Sequence, residues 1–440
     1  MKTVVKFEGQ KNTIQGECKP REAMEILGLN PREWKVTARQ VTDKALVYSI
    51  ERVRSVALVS VAAPPQADPQ VTITEPSTDT LVQAPPPPTI PESEITVDRN
   101  ELEAVLKVVA DVTGKRGLMP VLAMVKIDVV DKDTITMEAT DLEVSYQVTI
   151  PAEPTVPTAF LVDAGLFIKE VRALDKTIQD VKITVKPSSI EINDRCELSA
   201  SVTDEFPEIE PLPPEDALTY PLPNLASALT CVLPAVSTDE TRYMLTGVFF
   251  DIASGRVVAT DGFRLHRAHL DKYACPAFTI PRRAAVIFAK YDAVEITFAG
   301  KRVSVPIAGG TFITRVIEGD FPDADSVWPD VSTYEKVHFK ARDFLDLIPG
   351  VLPVSNGSQI KMTINGRIDI EAESESGKYS WHVPADSTLN GGTAVININS
   401  KFLVDAIKAY QDSEEIDIAF PKSYGALVVN EQALIMPIRQ

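Results

Sequence analysis

The sequence predicts an α+β chain made of three copies of one domain, each with two helices backed by antiparallel strands, behind a small α/β amino-terminal module. Three observations carry this. A helical pattern, entered from a short apolar strand, recurs near Asp163, Arg282 and Ser400, about 120 residues apart. Runs of alternating apolar and polar residues follow each of them. A proline-rich break separates all of this from the amino terminus.

In chain order, residues 1–61 form the small α/β module. "TVVKFEG" is a strand, "KPREAMEILGL" has helical spacing, and "KVTARQVTDKALVYSIERV" alternates like one or two strands. Residues 62–94 read as a disordered linker. The segment holds the Pro85–Pro88 run and too little apolar mass to offset its ordering entropy. The three repeats follow, at 95–215, 216–331 and 332–440. Their first helices are "DRNELEAVLKVVADVTG", "LPNLASALTCVLPAVS" and "KARDFLDLIPGVLPVS"; their second are "DAGLFIKEVRALDK", "RRAAVIFAKYD" and "SKFLVDAIKAYQD". Two repeats place a Thr-Asp after an apolar strand, in "MEATDLEV" and "VVATDGFR", and the same two end alike, in "TDEFPEIEPLP" and "EGDFPDADSVWP".

Composition narrows the class. At 440 residues the chain exceeds what one core usually organises, and 44% hydrophobic content excludes a mainly disordered chain. No apolar run approaches the ~18 residues of a membrane helix, and the "MKTVVKFEG" start lacks the apolar core of a signal peptide. Cys18, Cys196, Cys231 and Cys275 are scattered without CxxC spacing, which fits reduced thiols in a cytoplasmic protein. A formal charge of −18 excludes a generally basic DNA-coating protein but not a locally basic surface.

In "VVATDGFRLHRAHL" the Asp-Gly pair is a tight-turn signal, yet Phe263, Arg264 and Leu265 put an aromatic, a cation and an aliphatic on its shoulder. That composition suits either a hairpin core or the lip of a binding pocket. Together with "VSTDETRYMLTGVFFDI", "TRVIEGDFPDADSVWP", "KRGLMPVLAMVKI…ATDLEVSYQV" and the terminal "ALIMPIRQ", it closely resembles the bacterial DNA polymerase III β subunit family, the sliding clamps. The resemblance runs from about residue 95 to 440. The amino-terminal module on its linker is unusual for that family and fits a phage or mobile-element replicon, acting in the host cytoplasm.

The resemblance implies three clamp domains per chain and a head-to-tail homodimer closed into a ring, with helices lining a hole for duplex DNA. It implies no cofactor, no metal and no membrane partner. Basic residues should then lie on the hole-facing helices: Lys107, Lys115 and Arg116 by the first; Lys169, Arg172 and Lys176 on the second; Arg282 and Arg283, then Lys401 and Lys408, on its later copies. Arg116, Arg242 and Tyr243 match positions near DNA contacts, whereas Asp239 stands where a common form has glutamine. A carboxylate there repels phosphate.

The replicative polymerase and the clamp loader dock short peptides in the family, with a glutamine followed by leucine and an aromatic residue. By matching position, the deep subsite takes Leu265, Pro322, Val327, Leu434 and Met436, with Thr260, Gly262 and Arg264 around it. Leu245, Asn399, Phe402, Pro437, Ile438 and Arg439 line the adjoining groove. Phe263, Ser326 and Gln440 depart from the common pattern and alter the rim. Phe167, Leu174, Pro353 and Val354 are expected at the dimer contact.

Two other readings compete. A hydrolase would need Asp261, Glu318, Asp320 and Asp323 to act as acid/base pairs or metal ligands, but turn chemistry already explains each. His266 and His269 lack further ligands at suitable spacing, and no P-loop, GxSxG or HExxH occurs. A repeat-built structural or adhesion protein has no use for basic helix faces or for "FRL…MPIR".

Overall fold

The computed structural model describes residues 4–8, 11–15, 34–42 and 45–52, then 89–114, 119–129, 131–213, 217–355, 359–375, 377–389, 392–410, 415–422 and 424–439. The chain divides into two compact units, Met1–Ala84 and Pro85–Gln440. In the first, four antiparallel strands form one sheet in the order Val4–Glu8, Lys11–Gln15, Ala45–Arg52, Trp34–Thr42. The helix expected at "KPREAMEILGL" and the linker up to residue 88 lie outside the described residues.

The second unit repeats one pattern three times: strand, helix, three strands, strand, helix, three strands. The first copy carries helices α1 (Arg99–Val112) and α2 (Ala164–Ala173). The second carries α3 (Leu225–Val232) and α4 (Arg282–Lys290). In the third, the expected first helix is two pieces, α5 (Ala341–Leu345) and α6 (Ile348–Ser355), followed by α7 (Ser400–Lys408). Pro349 explains the break: its ring meets the carbonyl four residues back, at Leu345, and it has no N–H to donate.

Capping fixes the helix starts. Asp98 Oδ1 accepts from the N–H of Asn100 (2.8 Å) and Glu101 (3.0 Å), and Asp163 Oδ1 from that of Leu166 (2.9 Å). Each helix buries its apolar stripe. Leu102, Val105 and Val109 of α1, Phe167 and Val171 of α2, and Leu403 and Ile407 of α7 are all under 3% exposed.

The linker ends earlier than the composition predicts. Ser93–Asp98 is a strand paired with Asp180–Lys186, and Ile90 before it is buried, so residues 89–94 belong to the folded unit. Only Ile95 and Val97, two apart and both buried, mark this strand as apolar, and the proline composition upstream concealed it.

Sheets run across the domain boundaries. Val144–Pro151 of the first domain pairs with Gly310–Arg315 of the second, joining thirteen strands into one sheet. Arg264–His269 of the second pairs with Ala433–Ile435 of the third, joining nine. A separate sheet of the third domain holds four strands in the order Gly377–Pro384, Arg367–Ser374, Gln359–Ile364, Ala394–Asn399. Among the described residues no helix is long and apolar enough to cross a membrane.

Candidate functional site

Both domain junctions are built on the same turn. In the first domain Thr140 Oγ1 donates to the Val144 carbonyl (3.0 Å), and Asp141 Oδ1 accepts from the N–H of Glu143 (3.0 Å) and Val144 (2.9 Å). In the second, Thr260 Oγ1 donates to the Arg264 carbonyl (2.6 Å), and Asp261 Oδ1 accepts from the N–H of Phe263 (2.9 Å) and Arg264 (3.0 Å). The residue after each aspartate takes positive φ: 78° at Leu142 and 88° at Gly262. Glycine adopts that conformation freely, and a Cβ there would also stand 2.6 Å from Arg242 Nη1.

One carboxylate oxygen shapes the turn and leaves the other for a cation. Asp261 Oδ2 accepts from Arg264 Nε (3.0 Å), and Arg264 Nη1 reaches Asp405 Oδ2 on α7 (2.7 Å). The guanidinium lies 4.3 Å from the centre of the Phe402 ring, and Arg264 is 6% exposed. At the other junction Asp141 Oδ2 takes Nη1 of Arg283 from α4. Arg283 Nη2 also donates to the carbonyls of Asp111 (2.8 Å), Val112 (2.9 Å) and Thr113 (3.2 Å), capping the carboxyl end of α1. Asp111 in turn accepts from Lys290 Nζ (2.6 Å) and the Tyr291 hydroxyl (2.7 Å).

Arg264 and Arg283 are therefore clasps between domains. Arg264 is expected at a peptide rim and Arg283 on a DNA-facing helix; each also ties two domains together. Asn399, expected in the adjoining groove, caps α7: its Oδ1 accepts from the N–H of Lys401 (3.0 Å) and Phe402 (3.3 Å).

Beside the second clasp, His266 is fully buried, with Nδ1 2.9 Å from the Cys231 carbonyl oxygen. Burial pushes its pKa down to about 4, so the ring is neutral. Neither it nor the exposed His269 joins a metal site: no ligand cluster occurs among the described residues. The suspected carboxylates do not converge. Asp261 serves the clasp, Glu318 pairs with Lys301, and Asp323 Oδ1 accepts from the Asp325 N–H (3.0 Å).

The apolar residues expected to form a pocket meet at the second junction. Leu265 and Leu434 pair across it and form a small cluster with Val258, covered by Phe249, Phe321, Ala324, Trp328 and Ala426. Phe321 stacks on Phe249 at 4.8 Å, and Arg267 lies 3.6 Å from the centre of the Trp328 ring. Leu265 and Leu434 are each 4% exposed, so they make a floor and not an open subsite. Leu245 is buried too, and Thr260 half-buried. The accessible apolar surface is Phe263, Val327 and Met436, at 59%, 58% and 42% exposure, with Pro322 exposed beside them. The last residues are held in place: Met436 N–H donates to the Phe263 carbonyl (2.9 Å), Ile438 N–H to the Asn397 carbonyl (2.8 Å), and the Tyr424 hydroxyl to the Pro437 carbonyl (2.8 Å). Arg439 lies over the Tyr424 ring at 5.6 Å. Ser326 Oγ bonds the Asp323 carbonyl (2.7 Å), and Gln440 is outside the described residues.

A model of the DNA polymerase III beta subunit N-terminal domain matches residues 93–210, and one of the same subunit's central domain matches residues 221–323. Together they span half of the chain. The chain belongs to the DNA polymerase III β subunit family. A beta sliding clamp of Staphylococcus epidermidis is 27% identical over 388 residues, covering 79% of this chain and 99% of that relative. One of Staphylococcus aureus is 26% identical over 385 residues with the same coverage. Among solved structures, the DNA polymerase III beta subunit of Thermotoga maritima aligns with a TM-score of 0.70 at 24% identity, covering 79% of this chain and 100% of that one. The Bacillus subtilis sliding clamp gives 0.69 at 22%, covering 80% and 100%. These structures share the fold described above.

The helices carry exposed cations. Lys107, Lys169, Arg172, Lys176, Arg282, Lys401 and Lys408 are exposed and make no ion pair among the described residues; Lys115 and Arg116 lie outside them. Tyr243 and Arg282 meet Arg283 in a cleft of about 720 Å³ between α4 and the carboxyl end of α1. Arg242 is not free: its Nε lies 3.1 Å from Asp239 Oδ2. Hydrogen bonds from Thr241, joined by Arg242, hold the Asp239 carboxyl below its usual pKa.

The expected dimer contact is only half available. Pro353 is exposed and Val354 half-buried, but Phe167 (0% exposed) and Leu174 (5%) belong to the core of their own domain and cannot face a second chain. Apolar residues at helical spacing mark the buried face of α2, and the sequence offers no sign separating core from interface there.

Proposed function

We propose that this chain is a DNA sliding clamp, a processivity factor without a catalytic step of its own. Two copies close head-to-tail into a ring around duplex DNA and tether the polymerase and the clamp loader through short peptides, in the cytoplasm. One observation carries the reading. The junction between domains one and two is repeated between two and three, turn for turn and strand for strand, so a third such junction to another copy completes a closed ring. Our domain limits are 1–61 for the module, 95–215, 216–331 and 332–440 for the clamp, with the first clamp domain extended back to residue 89.

A ring holds DNA by topology, so the exposed cations need only weak phosphate contacts. Protein loaded by a clamp loader onto nicked circular DNA is expected to co-elute with it in high salt and to fall off once the circle is cut. Equal retention on circular and linear DNA would overturn the reading.

The Asp239–Arg242 pair weakens the grip of domain two. Asp239→Asn frees Arg242 and removes a repelling charge. Its binding to a short duplex should tighten, and the dependence of log K on log salt should steepen by about 0.9, the value for one added phosphate contact. Fluorescence anisotropy across a salt series measures both, and an unchanged slope excludes Arg242 from the DNA surface.

A further inference from the structure

Charge around the exposed lip of the second junction is unevenly distributed. Four guanidinium groups border it, and the fold engages all four. Arg264 is held between Asp261 and Asp405. Arg242, whose Nη1 stands beside Gly262, pairs with Asp239. Arg256 is shared by Asp251 (2.9 Å) and Asp325. Arg267 covers the Trp328 ring, and its Nε donates to the Glu431 carbonyl (3.1 Å).

The segment that supplies Pro322 and Val327 is charged the other way. Glu318, Asp320, Asp323 and Asp325 fall within eight residues, and no lysine or arginine occurs between Arg315 and Lys336. Glu318 and Asp325 have cations of their own, Lys301 and Arg256. Asp320 and Asp323, on either side of Phe321 and Pro322, are exposed and make no ion pair among the described residues. Asp323 Oδ1 accepts only a backbone N–H, from Asp325, which leaves its charge uncompensated. The opposite wall differs: Arg439, three residues beyond Met436, is exposed and rests over the Tyr424 ring.

We propose, on the reading that this lip docks partner peptides, that those peptides carry a lysine or arginine beside their apolar residues, seated against Asp320 and Asp323. The two aspartates then discriminate among partners. An apolar lip alone accepts any side chains of suitable size, whereas uncompensated charges at its rim reject those of like sign. A lysine meets Asp320 and Asp323 without breaking an ion pair inside the chain. A glutamate at the same place is repelled and finds a free cation only at Arg439, past the far wall. The same two charges repel a phosphate backbone, which favours a peptide over a nucleic-acid strand as the occupant.

Fluorescence polarisation on the full-length chain tests this with two labelled peptides that share one glutamine-leucine-aromatic core. One is flanked on both sides by lysine, the other by glutamate. The lysine-flanked peptide is expected to bind about three- to tenfold more tightly at low ionic strength, the scale of a few exposed charge pairs. The margin should vanish in 1 M salt, where the screening length falls to ~3 Å. Asp320→Asn with Asp323→Asn should abolish it at low salt with an unchanged melting temperature, since asparagine Oδ1 still accepts the Asp325 N–H. General attraction to a chain of charge −18 would survive that substitution, so a surviving margin overturns the role of the two aspartates. Equal affinity for the two peptides in the parent, or a preference for glutamate, overturns the proposal and leaves peptide docking standing. If neither peptide binds, the docking reading falls and this inference with it.

Discussion

Replacing Arg264 with alanine is expected to cost roughly 3–5 kcal/mol of stability at the junction between domains two and three, the range for removing one member of a buried ion pair. The loss is large because of what remains. Asp261 and Asp405, with side chains 16% and 20% exposed, would face each other without a cation. The turn itself survives, since its bonds use Asp261 Oδ1 and the backbone. Hydrogen exchange should therefore locate the damage in Arg264–His269, Ala433–Ile435 and α7, leaving the first domain protected. Arg264→Met with Asp261→Asn and Asp405→Asn should restore most of the stability, because no unpaired charge is left inside. If Arg264→Ala unfolds like the parent, the guanidinium is an ornament of the junction and strand pairing alone holds it. The matching change at Arg283 should cost less, as its side chain is 36% exposed and water replaces part of the interaction.

The repeat was legible because it depends on periodicity. Strands such as Arg256–Thr260 and helices such as α7 carry their buried faces in the sequence, and both Thr-Asp turns are short-range chemistry that dipeptides announce. The clasps were not legible. Arg283 and Asp141 are 142 residues apart, and nothing local distinguishes Arg283 from its neighbour Arg282, which faces solvent. The sequence shows that a carboxylate makes a turn; it does not show that its second oxygen serves another domain. The same limit bears on the expected dimer contact. Phe167 and Cys196 both read as apolar, and only the fold shows that Phe167 lies on the buried face of α2 while Cys196 is half-buried in a strand. Asp239 was legible as an obstacle to phosphate, while its pairing with Arg242 followed from the fold.

Partner binding is expected to depend on the exposed lip and not on the buried floor. Leu265→Asp would place an unpaired carboxylate in a cluster already covered by Phe321 and Trp328, so it should lower stability before it reports on peptide. Phe263→Ala with Met436→Ala is the cleaner change, because both side chains stand in solvent and the tail keeps its backbone bond from Met436 to Phe263. Fully buried side chains of this size contribute ~1.5–3 kcal/mol each, and partial contact halves that, leaving ~1.5–3 kcal/mol for the pair. At ~1.4 kcal/mol per tenfold, the double variant should bind a labelled glutamine-leucine-aromatic peptide at least tenfold more weakly in fluorescence polarisation, with an unchanged melting temperature. Deleting Met436 to Gln440 should weaken it further, since it also removes Pro437 and Ile438, which Tyr424 and Asn397 hold in place. Met436 suits the role: a flexible thioether repacks against different aromatic partners where a branched side chain could not. Should the double variant bind as tightly as the parent while Leu265→Asp does not, the peptide must displace the Phe321–Trp328 cover to reach Leu265 and Leu434. The lip would then be a bystander and that loop the moving part.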